Sequence, residues 1–214
     1  MQVVPSILEK NPQDLFYQIN RLSPYFSRFQ IDIADGIFVP NKTVQIEEIK
    51  DSLNKDSYFD FHLMVKNYED HIKKINGLKN IINIKNVFIH FDLLPNYQLL
   101  TTNYTLPIGL TINPQDQIDD LAYRYDIKQI SSIQIMSVTP GAQGNPFLPE
   151  TLNKIEQLRD IGYRKDIFLD GAINEKTISV ILSKKYKPDF ICPGSYLTKT
   201  KTLKENVEYL SKLL

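Results

Sequence analysis

The sequence predicts an α/β barrel. Short apolar strands alternate with longer mixed segments, eight such strands can be counted, and 214 residues is a length that α/β barrels commonly use as one domain. Strands separated by helices argue for parallel pairing, and eight of them fit a closed ring better than an open sheet. No sequence repeat, low-complexity tract or linker interrupts the plan, so one domain over residues 1–214 is expected.

The elements follow in order. Gln2–Ile7 is a β-rich run. Asn11-Pro12 comes next, where Asn can cap and Pro can occupy the first turn of a helix reaching Leu22. Arg28–Ile33 is the second strand, Ile46–Leu53 a helix, Tyr58–Leu63 the third strand and Tyr68–Ile75 a helix. Asn86–His90 and Leu106–Ile112 are the fourth and fifth strands, with a short helix at Gln98–Asn103 between them. Helix Ile118–Arg124 leads to the sixth strand, Ile130–Met136. Helix Pro149–Ile161, strand Asp166–Asp170, helix Glu175–Ser183, strand Asp189–Cys192 and helix Leu203–Leu213 complete a single-domain (β/α)8 TIM barrel.

Composition narrows the partners. Lysine plus arginine number 25 and aspartate plus glutamate number 25, so no net field gathers nucleic acid or an anionic membrane. No apolar run approaches the roughly 20 residues that span a bilayer. The single cysteine, Cys192, cannot form an internal disulfide, and MQVVPSILEK lacks the apolar run of a signal peptide, so a cytoplasmic location is expected.

The stretch QIDIADGIFVPN, residues 30–41, carries the first chemical clue. Side chains two apart in a strand share a face, so Gln30 and Asp32 point one way, as do Asp60 and His62 in the third strand. A buried carboxylate needs a metal, a ligand, water or a partner. Asp32, His62, Met136 and Asp170 all fall at carboxyl ends of strands, the end where a barrel of this kind builds its chemistry. Asp170-Gly171-Ala172 and Pro193-Gly194-Ser195, after strands 7 and 8, offer backbone amides at the usual phosphate position. These positions point to a small phosphorylated substrate.

The succession PSIL, DIADGIFVPN, DFHLMV, GLTINP, IMSVTPGAQGNPF, FLDGAI and PGS resembles the ribulose-phosphate 3-epimerase family in identity, order and spacing across nearly the whole chain. The resemblance implies a divalent metal, zinc or iron, and two aspartates acting on opposite faces of C3. Asp32 and Asp170 match those aspartates, and both match metal ligands together with His62. Ser6 matches a sugar-contacting serine, and Met64 and Met136 match apolar residues lining the enediolate. Gly141, Ala142, Gln143, Gly144, Gly171, Ala172, Gly194 and Ser195 match the substrate-covering loop and the phosphate cradle. The implied activity interconverts D-ribulose 5-phosphate and D-xylulose 5-phosphate, in a homo-oligomer acting on a small sugar phosphate.

The chain also departs from that pattern. Gln30 stands where the family has a histidine ligand, which makes it a weak ligand or a hydrogen-bonding spectator and implies looser zinc binding or preference for another cation. Ala34 replaces a methionine, Ala142-Gln143 replaces Phe-Gly, Ala172 replaces the second glycine of DGG, and Ile37 replaces a histidine. Two other readings are a hexulose-6-phosphate 3-epimerase and a non-catalytic phosphate-binding paralogue. His71 and His90 read as structural or solvent-facing, and Cys192 as a small buried hydrophobe.

Overall fold

A computed structural model describes residues 1–49, 53 and 55–214. The strand residues alternate between two environments, and that alternation makes the barrel. In β3 (Arg28–Ala34), Phe29, Ile31 and Ile33 are buried in the apolar layer beneath the helices, while Gln30 and Asp32 face the interior. The same division recurs in β4 (Tyr58–Met64), β5 (Asn83–His90), β6 (Ile108–Ile112), β7 (Ser132–Met136), β8 (Asp166–Asp170) and β9 (Phe190–Cys192).

The first strand is broken. β1 (Gln2–Val3) pairs with β9, and β2 (Ser6–Ile7) pairs with β3. Pro5 lies between them and has no N–H for a ladder. Val4 N–H and Ser6 N–H donate to the carbonyls of Ile191 and Pro193, and Pro5 carbonyl accepts from Gln30 N–H at 2.9 Å. The nine segments are ordered β1-β9-β8-β7-β6-β5-β4-β3-β2. With β1 and β2 counted as halves of one stave, that makes eight, and every ladder between described strands is parallel. The ring is the predicted (β/α)8 TIM barrel.

Helices wrap the outside. α1 (Pro12–Leu22) starts as expected, with Asn11 Oδ1 accepting from Asp14 N–H at 2.9 Å, and buries Leu15, Ile19 and Leu22 on one side. Of the predicted helix Ile46–Leu53, α2 covers Ile46–Ile49, and residues 50–52 lie outside the described residues. α3 (Tyr68–Leu78) runs past its expected end. α4 (Tyr97–Asn103) and α5 (Ile118–Arg124) stand where the sequence places them. The segment from Pro149 begins as a 3₁₀ turn, Pro149–Leu152, before α6 (Asn153–Asp160). α7 (Ile178–Ser183) starts later than predicted, because the Asn174 side chain accepts from Lys176 N–H at 2.9 Å and holds that stretch in a turn. A short α8 (Ser195–Thr198), not predicted, precedes α9 (Leu203–Leu213). Among the described residues no helix is long and apolar enough to cross a membrane.

The barrel interior is layered. An apolar floor of Val4, Phe88, Phe168 and Phe190 lies inside the ring, and Cys192 joins that cluster from the level of Asp170. The Arg28 guanidinium lies 4.7 Å from the Phe190 ring centre and 5.2 Å from that of Phe168. Above this floor polar side chains take over. Register places Asp32 beside His62, and Asp170 beside both Met136 and Cys192, so strand ends far apart in sequence share one level.

Candidate active site

A cavity of about 390 Å³ opens at the carboxyl ends of the strands. Ser6, Asp32, His62, Met64, Met136 and Asp170 line it from the strands. Gly141, Ala142, Gln143, Gly144, Gly171, Ala172, Gly194 and Ser195 line it from the loops after β7, β8 and β9. Gln30, the remaining residue singled out from sequence, is fully buried behind the two aspartates.

Two carboxylates converge here. Ser6 Oγ donates to Asp32 Oδ2 at 2.6 Å, and Gln30 Nε2 donates to Asp32 Oδ1 at 2.9 Å. The same Gln30 nitrogen donates to Asp170 Oδ2 at 2.7 Å, and Gln134 Nε2 donates to that oxygen at 3.2 Å. His62 Nδ1 stands 3.3 Å from Asp32 Oδ1 and 3.6 Å from Asp170 Oδ2. Asp32, His62 and Asp170 thus each present one ligand atom, all within 4.8 Å of one another.

Which His62 nitrogen faces the carboxylates follows from its neighbours. His90 Nδ1 lies 2.9 Å from Asn113 Oδ1, an acceptor, so that nitrogen carries the His90 proton. Burial, then the nearby His62, holds His90 well below the usual imidazole range, which keeps it neutral. His90 Nε2 is then a bare acceptor, 2.9 Å from His62 Nε2, which must donate. His62 Nδ1 is the ring nitrogen that faces the two carboxylate oxygens. One imidazole nitrogen and two carboxylates converging in a buried site make a donor set that suits a divalent metal.

Asp170 is set apart from an ordinary carboxyl. Burial, and secondarily the charge of Asp32, pushes it up to about 7. Cys192, beside it in the register, is buried and its thiol is pushed well up by burial, which makes it an inert wall.

The loops need special backbone. Gly171 has φ +118, and a Cβ there would sit 2.6 Å from Val138 Cγ2. Ala172 has φ +50, a left-handed conformation costing an L-residue about 1 kcal/mol. Its carbonyl accepts from Asn174 Nδ2 at 3.0 Å and from Thr177 Oγ1 at 2.8 Å, which fixes the turn without the glycine of DGG. Gln143 buries both amide atoms without a hydrogen-bond partner among the described residues, beside Gly194.

Three residues of the site escaped the sequence reading. His90, read as structural or solvent-facing, is fully buried and in contact with His62, whereas His71 is structural, bonded to its own helix through the Asn67 carbonyl at 2.8 Å. Asn113 orients His90, and Gln134 bonds Asp170. The signal was present: His90 ends its strand as His62 nearly does, and Gln134 precedes Met136 by two residues as Gln30 precedes Asp32.

Residues 2–197 match the family model described as Ribulose-phosphate 3 epimerase family. The chain is 26% identical to ribulose-phosphate 3-epimerase of Helicobacter pylori over 219 residues, covering 100% of this chain and 98% of that protein. It is 30% identical to the protein of the same name from Encephalitozoon cuniculi over 185 residues, covering 85% and 82% of the two chains. A chain of the tryptophan synthase a2b2 complex from Pyrococcus furiosus superposes with a TM-score of 0.70 at 12% identity, covering 98% of this chain and 97% of that one, a likeness of fold alone.

Proposed function

Because this chain belongs to the ribulose-phosphate 3-epimerase family, we propose that it interconverts D-ribulose 5-phosphate and D-xylulose 5-phosphate by moving a proton at C3 between Asp32 and Asp170. The observation that supports this reading best is the convergence of the two carboxylates, both bonded to one Gln30 nitrogen at the floor of a cavity ringed by glycine loops.

Inversion at C3 requires one ionised carboxylate to remove a proton from one face while the other, protonated, returns one to the opposite face. Burial and the charge of Asp32 raise the Asp170 carboxyl in the metal-free protein, so of the two acids it is the one disposed to hold a proton. Asp32 is held in one orientation by Ser6 and Gln30, which keeps its oxygens aimed at the sugar. Met64 and Met136, both buried at the wall, exclude water from the carbanion-like centre. The backbone of the loops after β8 and β9 receives the phosphate, as loops in these positions of a barrel do. Asp32, His62 and Asp170 would hold a divalent cation, zinc or iron, which when bound stabilises negative charge developing on the C2 oxygen.

Incubation with D-ribulose 5-phosphate in deuterated water tests the proposal. Deuterium should enter at C3, and xylulose 5-phosphate should accumulate. Failure of exchange with each of zinc, iron and manganese supplied would overturn it.

A further inference from the structure

Three amides of the site, Gln30, Gln134 and Gln143, bury a carbonyl oxygen without a partner among the described residues, but only Gln30 reaches both aspartates through its nitrogen. Its Nε2 bridges Asp32 Oδ1 at 2.9 Å and Asp170 Oδ2 at 2.7 Å, so the amide group occupies the place between two carboxylates where positive charge is wanted. Its other end, Oε1, is buried with no hydrogen-bond partner among the described residues. An orphaned buried carbonyl is costly and asks for an explanation. The two ends of a carboxamide have nearly the same size, so a half-turn about the last side-chain bond exchanges them without moving the backbone.

After that half-turn the oxygen would replace the nitrogen as neighbour of both carboxylates. The four positions would then be one amide oxygen, Asp32 Oδ1, His62 Nδ1 and Asp170 Oδ2. The neighbouring separations now seen, 2.7, 2.9, 3.3 and 3.6 Å, leave these four atoms close enough together that they would hold one cation in common. The carbonyl would acquire the cation as its partner, which would also relieve the repulsion between the carboxylates, while the NH₂ group would move to the place where Oε1 now has no partner.

We propose that Gln30 is a reversible amide. Its NH₂ group clamps Asp32 to Asp170 in the metal-free protein, and its carbonyl oxygen turns inward as a fourth ligand when a divalent cation binds. This rests on the metal-site part of the functional reading and not on turnover. Two consequences follow from the chemistry of the atom. The carboxylate pair stays assembled without metal, and a neutral oxygen, harder than imidazole, narrows the usual advantage of zinc over manganese or iron(II).

Equilibrium binding of zinc and of manganese, measured by competition with a chelator, and thermal melting of the chelator-treated protein test this. The proteins compared are the wild type, Gln30→Leu, Gln30→Glu and Gln30→His. Gln30→Leu, which removes both amide ends, should weaken both cations roughly 10- to 100-fold and lower the melting temperature of the metal-free protein. Gln30→Glu should bind both cations more tightly yet melt lower without them, since it sets a third carboxylate beside two. Gln30→His should raise the zinc-to-manganese affinity ratio at least about tenfold. Unchanged affinities in Gln30→Leu overturn the proposal, and should that variant fail to fold, unchanged affinities in Gln30→Glu overturn it. A wild-type protein that binds neither cation also overturns it, while C3 deuterium exchange by that same protein would leave the epimerase assignment standing.

Discussion

His62 and His90 meet Nε2 to Nε2 at 2.9 Å, with their rings stacked at an interplanar angle of 27°. Only one proton fits between those nitrogens, and Asn113 decides its owner because its Oδ1 accepts a hydrogen bond from His90 Nδ1–H. The His62 nitrogen that faces the carboxylates is therefore set by two residues that do not touch them. His90→Leu would strand a buried N–H, and a loss of about 1–3 kcal/mol in stability is expected from urea denaturation. Metal affinity should fall roughly 10- to 100-fold in chelator competition. His90→Gln, which can still offer an acceptor oxygen, should recover a large part of both losses. Equal affinity in the wild type and His90→Leu would contradict this role.

Both aspartates should be needed for turnover. Asp32→Asn and Asp170→Asn each remove a proton-transfer group and should lower the epimerisation rate by about 10²–10⁴-fold. Both variants should keep the circular dichroism spectrum of the wild type, because an amide fits the space of a carboxyl. A rate within tenfold of wild type for either variant would remove that residue from the mechanism.

Asp170 also makes stability depend on pH in the metal-free protein. Its carboxyl titrates near 3.8 when unfolded and is held up to about 7 when folded, chiefly by burial. Between those values the folded state retains a proton that the unfolded state has lost, so stability contributed by this group is full below 3.8, declines as pH rises, and is gone above 7. Melting temperature measured in chelator should therefore fall across this window. Asp170→Asn should flatten that decline, and a decline of unchanged size in the variant would place its source elsewhere.

Gly171 is fixed by both its conformation and its neighbour. At φ +118 a side chain is strained, and its Cβ would lie 2.6 and 2.9 Å from Val138 side-chain carbons and 3.0 Å from Val138 N. Gly171→Ala should destabilise the protein by about 1–3 kcal/mol and lower activity by displacing Asp170. Shortening the neighbour with Val138→Ala should restore only part of the loss, since the backbone nitrogen and the φ angle remain.

The sequence made the scaffold legible because the relevant physics is local. Seven strands appear near their expected positions because alternate apolar residues, such as Phe29, Ile31 and Ile33, must meet the helix layer. The first strand was read as continuous, and only closure of the ring shows why Pro5 divides it. Asp32, His62 and Asp170 were found because each stands at a strand end beside a recognisable motif. His90, Asn113 and Gln134 were passed over for a different reason. Their significance depends on which neighbour each side chain meets across the barrel, and that is settled by register between strands, not by spacing within one. The late start of α7 has the same origin in a side-chain contact, Asn174 capturing the turn that precedes it.

The barrel floor offers a prediction on stability alone. Arg28 binds Asp60 through Nε at 2.8 Å and a second nitrogen at 2.9 Å, and Asn86 donates to the same carboxylate at 2.9 Å. Burial raises Asp60 above its usual range despite the opposing pull of Arg28, so desolvation outweighs the pairing. The partners are unequal: the Asp60 side chain is 0% exposed and that of Arg28 19%. Arg28→Met should leave a fully buried charge without its counterion and cost about 3–5 kcal/mol in urea denaturation. Asp60→Asn leaves the charge on the residue that can reach water and rest on the Phe190 ring, so its cost should be smaller. Equal losses in the two variants would show that the ion pair itself, and not the stranded carboxylate, sets the penalty.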